Sequence, residues 1–139
     1  MRPEAAEELR SRTKRFANRI VRLCEAMRNN PTGRPIANQL IRSGTSVGAN
    51  YRAACRSRSE AEFVARTAVA LEEADETAYW PELLVEAGVV PTRRMPELMK
   101  ECDELIRIFS AARHTTQARI RSQNSKFKIQ NSCDGRHEA

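Results

Sequence analysis

The chain has 139 residues, 40% of them apolar and 5% aromatic, and carries 24 basic against 18 acidic side chains for a net charge of +6. That length fits one domain with a modest core, complete in itself or shared with partners. The charged start MRPEAAEELRSRTKR has no apolar run behind it and no stretch of ~18 consecutive apolar residues occurs, so neither export nor membrane spanning is supported and the cytosol is expected.

From Glu4 to Asn29, the residues Leu9, Thr13, Phe16, Ile20, Leu23 and Met27 recur in steps of three and four, which puts them on one side of a long amphipathic helix. Asn29-Asn30-Pro31-Thr32-Gly33 stops it, and Pro35 suits the first turn of the next helix. The second helix is predicted over 34–56, with Ile36, Leu40, Ser43 or Gly44, Val47, Tyr51 and Cys55 facing inward. Gly44 and Gly48 lie four apart in it, where each costs on the order of 1 kcal/mol relative to alanine. The spacing predicts close approach of a neighbouring helix. A phosphate-cradling loop would need the lysine and the strand-to-helix context of a P-loop, and both are missing.

The third helix is predicted over 59–86, with Ser59 as its cap three residues before Glu62. Phe63, Thr67, Ala70, Ala74 and Ala78 form one apolar line, and Val64, Ala68, Leu71 and Tyr79 form a second. Two buried faces call for two partners, so the second line predicts self-association, with a broad intramolecular contact as the alternative. Pro81 should cost one helical hydrogen bond and kink the chain near Thr77 and Ala78. Gly88 marks the stop. The fourth helix is predicted over 94–115, on Met95, Leu98, Cys102, Leu105, Phe109 and Ala112. The bundle therefore occupies 1–116. Residues 117–139, basic, polar and containing Gln-Asn-Ser twice, are expected to be a disordered tail, either without a role or as an RNA-contacting arm.

Charge is divided unevenly. Residues 1–58 carry 13 basic and 4 acidic side chains, residues 59–112 carry 5 and 12, and residues 113–139 carry 6 and 2. Opposite halves would steer helix pairing and leave a basic surface wherever the first half is uncovered. On the first helix Arg12, Arg15, Arg19 and Arg22 form a stripe beside the apolar line, with Lys14 further round. Arg42, Arg52, Arg56 and Arg58 could extend it. Two readings stay open: phosphate binding, or pairing with the acidic third helix of the same or a neighbouring subunit. With few aromatics there is no stacking platform, so nucleic acid would be met by charge and RNA shape.

Enzyme chemistry has little to stand on. Glu73 with Glu76 and Glu101 with Glu104 give two E-x-x-E elements, superficially like a magnesium site, yet Glu76 and Glu104 point away from the apolar lines. No E-x-x-H, G-x-S-x-G or H-E-x-x-H occurs, and Ser43 and Ser46 have no evident base. Cys24, Cys55, Cys102 and Cys133 are far apart, with only His114 and His137 beside them, so no disulfide framework, metal site or cofactor is expected. Glu72, Glu73 and Glu76 are expected to form ion pairs with arginines that fix helix order.

Arg42-Ser-Gly-Thr-Ser-Val-Gly-Ala-Asn-Tyr51, Glu62-Phe63, Ala70-Leu-Glu-Glu-Ala-Asp-Glu-Thr77 and Tyr79-Trp80 resemble the four-helix bundle protein family often encoded in intervening sequences of bacterial large-subunit ribosomal RNA genes. The resemblance covers roughly residues 9–115, and relatives include the accessory variability determinant protein of diversity-generating retroelements. Pro81 departs from it, since members usually have leucine after Tyr-Trp. The resemblance implies an all-α, antiparallel up-down four-helix bundle that self-associates as a ring-shaped homopentamer. It further implies a non-enzymatic accessory that handles nucleic acid, with a reverse transcriptase as a candidate protein partner. Gly44, Gly48, Tyr51, Phe63, Leu71, Tyr79 and Trp80 would then serve helix packing or the oligomer. A scaffold that binds only protein is the alternative function.

Overall fold

The computed structural model describes residues 2–135. Four helices follow one another, α1 (Pro3–Ala26), α2 (Gly33–Ala54), α3 (Glu60–Glu86) and α4 (Pro96–Asp134), with a 3-10 turn at Thr92–Arg94 before the last and no strand among the described residues. Helices consecutive in the chain pack side by side, whereas α1 and α4 touch at few places. The bundle is therefore tight on three seams and loose on the fourth.

Each junction has a local cause. The Asn30 side-chain oxygen accepts from the backbone N–H of Thr32 (3.0 Å) and Gly33 (2.8 Å), which serves the α2 start in place of a Thr32 cap. Ser59 caps α3 by accepting from the Glu62 N–H at 3.1 Å, while the Glu62 carboxylate accepts from the Arg58 N–H at 2.7 Å. After α3, Gly88 takes φ +71°, and the Val89 N–H reaches back to the Leu84 carbonyl in a Schellman arrangement.

The core is built from regular three-four steps. On α2 the buried line runs Ala37, Leu40, Gly44, Val47, Tyr51 and Ala54, with Ser43 beside it. Ile36 and Cys55, expected inside, are half-buried at the two ends, because a strict heptad line selects the alanine one position away in each case. Tyr51 packs on Phe109 with ring centroids 5.5 Å apart. Gly44 is where α1 comes closest to α2: a Cβ there would lie 2.8 Å from Ile20, and one at Gly48 would lie 3.3 Å from Thr13.

Two expectations change. The second apolar line of α3 is divided: Leu71 packs against the core, Val64 and Ala68 are half-buried, and Tyr79 is 54% exposed. An α3 squeezed between α2 and α4 needs a wide stripe, and Leu71 supplies part of it. Phe63 and Ala78 are half-buried too. α3 runs through Pro81, which is itself buried.

The second change concerns the tail. In place of a disordered segment after Thr116, α4 continues unbroken to Asp134. No glycine or proline interrupts 97–134, so a helix already nucleated in the bundle propagates at little cost. Arg119 ties the start of this extension to Glu60 at 2.8 Å, and from Arg121 onward every described residue is exposed, including Phe127 and Ile129. Residues 136–139 of the expected tail, with His137, lie outside the described residues.

Candidate nucleic-acid interface

α1 presents cations on both flanks of its buried line, and the two flanks meet different neighbours. On the α4 side, the Arg12 guanidinium donates to Glu101 at 2.6 and 2.9 Å and also reaches Glu104. Arg15 pairs with Glu8 at 3.1 Å and Arg19 with Glu97 at 3.9 Å. The Arg12 contacts hold the Glu101 carboxyl below the usual carboxylate range, chiefly through the hydrogen bond. The expected stripe is thus interleaved with glutamates, and these come from α4 and α1 itself. α3 sits diagonally across the bundle from α1, so within one chain it does not supply the partners of the stripe. Arg22 has no carboxylate within ion-pair distance among the described residues.

The other acidic pair faces elsewhere. Arg42 of α2 pairs with Glu73 at 3.3 Å and with Glu76, across the α2–α3 seam. Arg42 holds the Glu76 carboxyl below its ordinary range. Each E-x-x-E element is therefore filled by its own arginine on a different seam, Arg12 on one and Arg42 on the other, and the two do not converge. Glu72 is exposed and has no such partner among the described residues. Burial pushes the Cys24 thiol up to about 11 and the Cys102 thiol up to about 12, so both are protonated at neutral pH and packed as apolar side chains. Cys55 is half-buried and Cys133 exposed.

On the α2 side of α1 a groove of about 560 Å³ runs between the two helices. Arg10 and Lys14 line it from α1, Arg52 and Arg56 from α2, and small residues including Thr45, Gly48 and Ala49 form its floor. Glu7 is the one carboxylate among the lining residues, and it accepts from Arg10 Nε at 3.1 Å. No carboxylate pairs with Lys14, Arg52 or Arg56 among the described residues. Arg58 lies at the end of the bundle, beside Arg10 and Arg119 in a separate cleft. Reading along the chain missed Arg10. The signal was present as two i,i+4 cation pairs, 10/14 and 52/56, but nothing in the sequence put them on facing flanks.

The packing candidates fall in three places. Gly44, Gly48 and Tyr51 serve the contacts of α2, Phe63 is half-buried beside Thr116 and Arg119 at the end of the bundle, and Leu71 and Trp80 lie against the core. Tyr79 stands outside, edge-on to Trp80 at 5.0 Å. No helix among the described residues is long and apolar enough to cross a membrane.

Comparison with known proteins adds a lineage. The model of the family described as 23S rRNA-intervening sequence protein matches residues 7–111. Among solved structures, a protein of unknown function from the S23 ribosomal protein family of Bacteroides thetaiotaomicron is similar at 32% identity with a TM-score of 0.71, covering 75% of this chain and 96% of that one. No curated protein matches the chain. The family match ends at residue 111, within the bundled part of α4 and ahead of its exposed extension.

Proposed function

The chain belongs to the 23S rRNA-intervening sequence protein family, and from that premise we propose that it is a non-enzymatic accessory that binds structured RNA through the cationic surface of α1 and α2. The observation that carries this reading is the disposition of charge. The acidic side chains of α3 and α4 neutralise Arg12, Arg19 and Arg42, while Lys14, Arg52 and Arg56 keep no carboxylate partner among the described residues. Unneutralised cations on one side of a small bundle attract a polyanion, and the scarcity of aromatics favours backbone and shape over base reading.

Self-association as a ring-shaped homopentamer, and a reverse transcriptase as protein partner, belong to the same reading through the family resemblance. The exposed Tyr79 is a residue such an assembly could cover. Chemistry has no part in it, since the carboxylates that would hold a metal are already bound by arginine.

One observation favours a second reading, in which the protein is a scaffold without RNA: seven of its arginines are already spent on ion pairs among the described residues. Fluorescence anisotropy with a structured ribosomal RNA fragment, titrated from about 50 to 200 mM salt, separates the two. Tight binding that weakens steeply with salt supports the RNA accessory. Absence of binding at the lowest salt would leave the scaffold.

A further inference from the structure

Of the two cationic flanks of α1, only one has the electrostatics of an anion site. On the α4 flank Arg12, Arg15, Arg19 and Arg22 stand among Glu8, Glu97, Glu101 and Glu104, four charges of each sign. A phosphate approaching there meets carboxylates at every turn. The groove between α1 and α2 carries Arg10, Lys14, Arg52 and Arg56 against Glu7 alone, a balance of three positive charges in a concave surface. Concavity between low-dielectric walls concentrates the field, and the α4 flank is concave too, about 510 Å³ lined by Arg12, Arg15 and Arg19 with Glu8 and Glu101, so it is the net charge between the walls that separates the two flanks.

Its shape comes in part from Gly48, one of the two glycines at which the helices approach. Gly48 and Ala49 put almost no side chain on the floor, and Thr45 adds only a hydroxyl whose hydrogen is already given to the Ile41 carbonyl at 2.6 Å. The cations sit on the rims. Arg10 and Lys14 are four residues apart on one helix, Arg52 and Arg56 four apart on the other, so each rim offers two charges separated by ~6 Å of helix rise. One cation from each rim, taken together, would make a rung, and the four supply two. We propose that the groove seats two successive phosphates of one nucleic-acid strand, one on each rung, and that this, and not the Arg12–Arg22 stripe, is the principal RNA contact of the protein. The inference rests on the RNA-binding reading above and assigns it a place. Glu7 acts as a competing anion, holding Arg10 until phosphate displaces it.

The test compares salt slopes of RNA affinity for the full chain and three variants, each checked by circular dichroism and thermal melting. A quadruple variant, Arg10→Ala, Lys14→Ala, Arg52→Ala and Arg56→Ala, removes two phosphate contacts. It should lower the slope of log affinity against log salt by ~1.4–1.8 and weaken binding ~30-fold near 0.1 M salt. Ala49→Trp fills the floor at an exposed position without changing net charge, and should reproduce most of that loss. Arg15→Ala with Arg19→Ala and Arg22→Ala, on the opposite flank, should leave the slope nearly unchanged. Wild-type slopes retained by the quadruple variant and by Ala49→Trp, with the loss appearing in the opposite-flank variant, would overturn the groove while leaving RNA binding intact. A wild-type chain that binds no RNA would overturn the general reading, and the groove with it.

Discussion

α1 is held against α2 by glycine and against α4 by ion pairs, and the contrast explains both the stability and the surface of the molecule. On the α2 side the helices approach until Ile20 meets the backbone at Gly44, and no ion pair crosses that seam among the described residues. On the α4 side the backbones stay apart and Arg12 spans the gap to Glu101 and Glu104. Backbone contact through small residues uses no charge, so it leaves its rim cations available. A seam bridged by arginine consumes them.

The largest effect should come from the core that both seams share. Leu105→Ala, at a fully buried position on α4, should cost about 2–5 kcal/mol in denaturant unfolding. A much smaller cost would mean that ion pairs, and not packing, hold α4. Gly44→Ala tests the tight seam directly: its Cβ would fall 2.8 Å from Ile20, and relieving that overlap should cost about 1–3 kcal/mol. A gain of about 1 kcal/mol, the helix-propensity advantage of alanine alone, would show that the two helices have room to separate.

Arg12→Ala tests the loose seam. The pair is about a quarter exposed, between the surface and buried limits, so a loss of about 1 kcal/mol is expected, shrinking at high salt. The corresponding pH dependence follows from Glu101, whose folded carboxyl titrates below its unfolded value because Arg12 donates to it. Its stabilisation is fully present above the unfolded glutamate pKa of about 4.3 and is lost as pH falls through the depressed folded value. Melting temperature should therefore fall with acid more steeply in the wild type than in Glu101→Gln. The smallest effect should follow truncation after Ile120: helical ellipticity drops by the residues removed, while the unfolding midpoint moves by less than about 0.5 kcal/mol equivalent, since the extension beyond that point buries nothing.

Much of this could be read along the chain because helices impose a period. The line Met95, Leu98, Cys102, Leu105, Phe109 of α4, the Ser59 cap and the Gly88 stop all follow from spacing or from a residue's own conformational preference. The errors share a cause. Ile36 against Ala37, Cys55 against Ala54, and Leu71 as a free face or a core face are choices between positions that periodicity makes nearly equivalent. The continuation of α4 beyond Thr116 is a different kind of miss: apolar periodicity does end there, but a helix once nucleated needs no core to propagate.

The one-dimensional chain already carries four amphipathic helices, a close approach to α2 at Gly44 and a basic first half. It determined these because periodicity, glycine and charge are properties of short stretches. Packing set which acids neutralise which arginines, since that depends on α4 and not α3 lying beside α1. It likewise decided that Arg10, Lys14, Arg52 and Arg56 share one groove. Partners from separate helices come within reach through packing, and a one-dimensional spacing carries no information about which flanks face each other.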